Sequence, residues 1–326
     1  MKASRALECR AILLGLVTFG GAAMATDITW TGAQSGRWNN TNNWSLFRLP
    51  AAGDHAIIPA GTPGCTNDSG ATIAQITVNG TLSINGNTFT LTTTGNVAGV
   101  LNLAGGTLGG TGQLTIAGAF NWTGGTMSGA GWTILAPDAT GTISGGSVSK
   151  TLTRLLENRG VIIQSGTGNS MFSVNVGGTL DNPGVYQIAD NSSLSTGTSL
   201  PWVMTNRGLF EKTGGGASAV NAAFCNAEGG IIGNTSSTNL LFTTSFSQTG
   251  TGAIGAGIIS LAGGNGLLMG TLGGPGTLQV ISGNLMASNS SAIGCLWLYG
   301  GTLTGAGELT VTQLLTWTGG TMSGAG

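Results

Sequence analysis

Residues 100–131 read VLNLAGGTLGGTGQLTIAGAFNWTGGTMSGAG, and residues 295–326 read CLWLYGGTLTGAGELTVTQLLTWTGGTMSGAG. Aligned without a gap at an offset of 195, twenty of the thirty-two positions are identical, and Trp122–Gly131 matches Trp317–Gly326 throughout. A shorter core, Gly-Thr-Leu-x-Gly-x-Gly-x-Leu-x-Ile/Val, starts at Gly106, Gly270 and Gly301. Nineteen positions after two of these, Gly125-Thr126-Met127 echoes Gly106-Thr107-Leu108, and Gly320-Thr321-Met322 echoes Gly301-Thr302-Leu303. A sister pattern fills the middle. Asn158-Arg159-Gly160, Asn182-Pro183-Gly184 and Asn206-Arg207-Gly208 follow one another at an even interval of twenty-four, each before a strand-like pair. Gly178-Thr179-Leu180 opens the second copy, so the two patterns are variants of one unit.

Periods between nineteen and twenty-four suit a solenoid in which each unit is one coil. Within a unit, Leu101-Asn102-Leu103, Leu114-Thr115-Ile116 and Leu309-Thr310-Val311 alternate apolar and polar side chains, which turns one side of a short strand inward. Glycines between strands allow positive φ at sharp corners. The expected fold is all-β: a parallel β-helix, right-handed by the general preference of parallel crossovers. About a dozen coils at roughly 4.8 Å each make a rod of about 50–60 Å. A β-sandwich or a propeller is the competing architecture, but a blade needs about 40–50 residues. If the asparagine interval closes one turn, Asn158, Asn182 and Asn206 stack and each amide donates to its neighbour, as identical side chains do in ladders. Asn also tolerates a left-handed corner.

Three domains are expected. Residues 1–25 carry Lys2, Arg5 and Arg10, the apolar run AILLGLVTF from Ala11, and Ala23-Met24-Ala25, the three parts of a secretory signal with cleavage after Ala25. Residues 26–98 are an N-terminal cap and first strands, with Trp30, Trp38 and Trp44 covering the open end that an uncapped solenoid exposes. Residues 99–326 are the β-helix repeat region, and the chain stops at Gly326 inside a repeat, as a truncated fragment would. Such an open edge with little charge favours end-to-end self-association.

Only 6% of residues are charged, and beyond residue 25 seven Lys and Arg face ten Asp and Glu, a net charge of −3. No basic footprint for nucleic acid is present. No later stretch is apolar for long enough to span a membrane as a helix. Cys65, Cys225 and Cys295 leave room for one disulfide in an oxidising compartment but have no zinc spacing. At least one of them reads as a small buried hydrophobe.

Taken together, the Gly-Thr-Leu-x-Gly-x-Gly and Asn-x-Gly motifs and the Trp-Thr-Gly…Asn-Trp-Ser…Pro…Gly-Asp opening resemble the Gly/Thr/Asn-rich parallel β-helix regions of bacterial secreted and surface proteins, adhesin-like and autotransporter-passenger-like ones included. The resemblance implies a secreted, extracellular or cell-surface location, a structural or adhesive role, and extracellular glycans or cell surfaces as partners.

Catalytic chemistry is thin in the sequence. His55 is the one histidine, so any Ser-His-Asp or Cys-His arrangement would have to use it, and it reads as a packed or exposed cap residue. Gly250–Gly255 matches the dinucleotide fingerprint in letters alone, with a strand where the helix belongs and Pro275 where the acid belongs. Glu157 and Asp181, one coil apart with Arg159 and Arg207 nearby, are the one carboxylate pair that could serve a β-helix polysaccharide lyase or glycosidase. Exposed corner charges that keep the rod soluble are the plainer reading. No enzyme activity, catalytic residue, cofactor or metal is therefore expected, with the lyase or glycosidase as the alternative.

Overall fold

A computed structural model describes residues 25–145, 148–166, 172–174, 178–196 and 203–325. Residues 1–24, where the secretory signal is expected, and Gly326 lie outside the described residues, and Cys9 with them. The described chain is a parallel β-solenoid of about 12 turns, with no α-helix and a single 3-10 turn, Thr41–Asn43. Each turn has three sides, so the strands stack into three faces.

The first face runs through Asp27–Thr29, His55–Ile58, Gln113–Ile116, Trp132–Leu135, Leu155–Asn158 and Thr179–Asn182, and continues to Thr302–Gly305 and Thr321–Met322. The second face includes Cys65–Asn67, Thr81–Ile84, Val161–Gln164, Val185–Ile188 and Leu209–Lys212. The third holds Lys150–Leu152, Ser218–Asn221 and Leu240–Phe242. Along each strand alternate residues point inward, and the burial follows that period of two, as in iBiB at Gln113–Ile116 and Val161–Gln164. The inward columns (Ile76, Leu114, Leu156, Leu180, Met204, Phe224 on the first face) merge into one core along the axis. No coil could bury its apolar side alone, so stacking is what stabilises each strand.

The registers give the turn length directly. His55 pairs with Gln75, Gln75 with Thr94, and Thr94 with Gln113, so successive turns advance by twenty, nineteen and nineteen positions. Leu155 pairs with Thr179 and Thr179 with Val203, an advance of twenty-four each time. The nineteen-position echoes are true stacks: Thr107 on Thr126, Leu108 on Met127, Thr302 on Thr321, Leu303 on Met322.

The repeat does not keep to one side of the coil. The Gly-Thr-Leu core sits on the third face at Thr107-Leu108, on the second at Thr271-Leu272 and on the first at Thr302-Leu303. The two long matching blocks therefore occupy different faces. Every side of a short turn asks for the same things: a tight corner, an outward Thr and an inward Leu. One short phrase can serve any of the three.

The corners meet the expectation of positive φ at glycines such as Gly86, Gly110 and Gly129, but not at the asparagine ladder. Among the described non-glycine residues only Phe47 has a left-handed φ, so the ladder asparagines are not left-handed corners. Gly208 has an ordinary φ too. Its role is close approach: a Cβ there would lie 2.1 Å from the Gly184 carbonyl oxygen of the turn below. Stacked corners of this kind leave no room for a side chain.

The Trp cluster is buried at the N-terminal end. Trp44 meets Trp30 and Trp38 edge to face at 5.0 and 4.6 Å, and Trp38 meets Phe89 at 5.4 Å. The indole N–H groups of Trp30 and Trp44 donate to the carbonyls of Pro63 and Trp38, so these large rings are buried with their polar atoms satisfied.

The amide ladder is present and longer than the spacing foretold. Asn158, Asn182, Asn206 and Asn226 are fully buried at the last inward position of the first face. Each of the first three donates from Nδ2 to the side-chain oxygen one turn on, at 2.7, 2.8 and 2.8 Å, and Asn226 donates to Gln248 at 2.8 Å. A second bond from Asn158, Asn182 and Asn206 reaches the carbonyls of Val185, Leu209 and Ile231. Those carbonyls fix which way these three amides face.

Candidate functional site

His55 opens a first-face strand and its ring points outward. Its Nδ1 lies 2.9 Å from Asp27 Oδ1 and its Nε2 2.9 Å from Thr77 Oγ1. Three successive turns thus contribute a carboxylate, an imidazole and a hydroxyl in the order of a hydrolytic relay. Asp27 and Thr77 are twenty-eight and twenty-two positions away in the chain, and only stacking joins them to His55, which is why the sequence shows the histidine alone. Acyl transfer also needs donors aimed at a developing oxyanion. The backbone amides beside Thr77 serve the parallel ladder on both sides. The arrangement is a brace across three turns.

Glu157 and Asp181 are direct neighbours in register on the outer side of the first face. They stand in mid-strand and not at corners. Arg159 Nε donates to Glu157 at 2.7 Å, and Arg207 Nη1 donates to Asp181. Each carboxylate is thus occupied by its own arginine, and the bond to Glu157 raises the Arg159 guanidinium above its ordinary value. Cys65, Cys225 and Cys295 are all free thiols. Cys65 is fully buried, as a small hydrophobe, and burial pushes its thiol well up. Gly250–Gly255 lies inside the strand Ser245–Ala256, with no helix after it. Among the described residues no cluster of three metal-ligating side chains occurs.

Three shallow grooves follow one another along the outer side of the first face. The first, about 420 Å³, lies over His55, Gln75, Thr94, Asn96 and Gln113. The next, about 460 Å³, is lined by Trp132, Leu155, Arg154 and the hydroxyl residues Thr111, Thr153 and Thr179. A third, about 440 Å³, is mostly apolar around Phe246, Leu267 and Met286. Outward Thr, Asn and Gln dominate the first, while in the second three Thr stand among Trp132, Leu155 and the small residues Gly129, Ala130 and Gly131.

Arg154 is the unusual member. It is 2% exposed, and its Nη2 donates to the carbonyls of Gly112 and Trp132 at 2.8 and 3.0 Å, while Nη1 reaches Ser128 at 3.4 Å. Its Nε is buried with no acceptor. Burial pulls the guanidinium down to about 10. Composition marks the basic residues as surface groups, and neither Arg154 nor Trp132 stands out in it. The visible signal is Trp132 itself, an aromatic at an outward position just past a repeat.

No family model, no curated protein and no solved structure matches this chain.

Proposed function

We propose that the chain is an extracellular rod of a bacterial secreted or surface protein, structural and adhesive, that holds glycans or cell surfaces against the outer side of its first face. The observation that carries this reading is the succession of three grooves along one face. A polymer laid along the axis would meet the amides and hydroxyls of Gln75, Thr94, Asn96 and Gln113 at successive strand spacings of about 4.8 Å in the first groove. In the next two it would meet the apolar Trp132, Leu155, Leu267 and Met286. The secretory pattern of residues 1–25 and the likeness of the repeats to bacterial surface β-helices support the location. No catalysis is proposed, since the one carboxylate pair is taken up by arginines.

The test is binding of labelled protein to an array of surface glycans, beside a Thr94→Lys, Gln113→Lys double variant. Both positions are outward, so the fold should persist. Retention by the wild type and loss in the variant is the expected result. Absence of any glycan retention, or equal retention by both proteins, would overturn the reading.

A further inference from the structure

We infer that the groove beside Trp132 is a subsite for an anionic sugar unit, carboxylated or sulfated, with Trp132 as its platform and Arg154 as its source of charge. This deepens the glycan-binding reading and rests on it.

Arg154 carries a positive charge, and its bonded acceptors are three backbone carbonyls. No carboxylate pairs with it among the described residues. A buried ion is stabilised by an opposite charge and good geometry, and here only the geometry is supplied. The missing charge can come from the groove that Arg154 lines. The backbone is shaped around this guanidinium. A Cβ at Gly131 would lie 2.6 Å from Arg154 Nη2, so any side chain there would displace it.

Trp132 is 42% exposed and pairs in register with Leu155, the next outward residue on the face. Together they make an apolar ledge two strands wide, about 5 Å between strands. That is the footprint of one pyranose ring, whose C–H side packs on an indole face. Thr111, Thr153 and Thr179 ring the ledge with hydroxyls that match those of a sugar.

The surrounding charges permit an anion. Beyond Leu155 and Thr179 along their strands stand Glu157 and Asp181, each neutralised by Arg159 or Arg207. With Arg154 the local sum is one net positive charge, in a chain whose total is −1. A neutral sugar would use the ledge but leave Arg154 uncompensated. An anionic one uses both.

The experiment titrates the protein with three oligosaccharides of equal length, an oligogalacturonate, a sulfated galactan and a neutral galactan, by calorimetry at low and high salt. At least one of the anionic oligomers should bind at least tenfold tighter than the neutral one at low salt, and the gap should shrink as salt rises. Trp132→Ala, at an exposed position, should weaken all three tenfold or more while the melting temperature stays put. Arg154→Gln should bind the neutral oligomer as before and lose the preference. Should Arg154→Gln fail to fold, the salt dependence of the wild type and the Trp132→Ala result decide the matter. Equal affinity for all three oligomers, still abolished by Trp132→Ala, would overturn the anionic subsite and leave the glycan-binding rod standing. Anionic binding untouched by Trp132→Ala would place the ligand elsewhere and overturn it too. A preference for one anionic oligomer alone supports the subsite and identifies which group Arg154 accepts.

Discussion

The amide ladder makes unequal demands on its members, and that inequality can be measured. Asn182 stands in the middle. It receives a bond from Asn158, gives one to Asn206 at 2.8 Å and gives another to the Leu209 carbonyl at 3.0 Å. Replacing it with Leu strips Asn206 Oδ1 of its donor and leaves Asn158 Nδ2 with one partner of two. A buried polar atom without a partner costs about 1–3 kcal/mol. One full orphan and one partial orphan put Asn182→Leu at about 2–4 kcal/mol. Asn158, at the ladder's start, is different. Its Oδ1 already lacks a partner, because the residue in register one turn earlier is Leu135. Asn158→Leu orphans Asn182 Oδ1 but removes an existing orphan and extends the apolar column. The two terms are of one size, so the net cost should be about 1 kcal/mol or less. The volume change is common to both variants, and Leu fits this column at Leu135 and Leu268.

Urea unfolding followed by circular dichroism would give both costs. Stacked repeats can unfold in parts, so amide exchange in the strands from Leu155–Asn158 to Ala223–Asn226 should accompany it. Equal costs for the two variants, or no cost for Asn182→Leu, would show that these amides do not act as a ladder.

Three further outcomes are expected. N-terminal sequencing of secreted material should begin at Thr26, and an intact Met1 would refute export by cleavage. Incubation with common plant and bacterial polysaccharides should release no shorter products; turnover abolished by Glu157→Gln or Asp181→Asn would establish the enzyme instead. The two hydrogen bonds from Arg48 to Asp54, at 2.6 and 2.9 Å, together with one from the Ala51 amide, hold the Asp54 carboxyl below the usual carboxylate range. A depressed folded value gives stability that is present above the unfolded value, near 3.9, and lost as pH falls through the folded one. Asp54→Asn should therefore melt below the wild type at neutral pH, and the two should converge in acid; a constant difference would refute the ion pair's role.

Much of the solenoid was legible because its signals are local or strictly periodic. The evenly spaced asparagines and the Gly-Thr-Leu echoes both proved to be stacked pairs. Asn226 and Gln248 escaped because the steps to them shorten to twenty and twenty-two, and Gln248 is a different amide. What stacking alone creates was not legible. The Asp27–His55–Thr77 brace and the Trp132 groove draw on turns whose advance varies from nineteen to twenty-eight, so no fixed offset points to them. The face change of the repeat was hidden for the opposite reason: the phrase is the same on every side.

The scarce charge has a structural use that composition concealed. Of the seven basic residues beyond residue 25, Lys150, Arg154 and Lys212 are buried. Lys212 Nζ donates to the Asp190 carbonyl and Lys150 Nζ to that of Val148, while burial lowers both ammonium groups below the ordinary lysine value. Gln164 and Asn234, in the column of Lys212, likewise donate to the carbonyls of Ser193 and Thr238. These donors sit where the turns lengthen. Between the second and third faces a short turn needs only residues 104–106, whereas the long turns carry 189–193, 213–217 and 235–239. Extra loop residues turn carbonyls inward, beyond reach of the turn above, and an inward carbonyl must find a donor. A long polar side chain from the strand end supplies it. Lys212 answers that demand inside a loop that closes over it. Arg154 answers a similar demand at the corner leading to the first face, where its neighbours are glycines and an open groove. The same structural need, met at that corner, is what leaves a positive charge beside an exposed tryptophan.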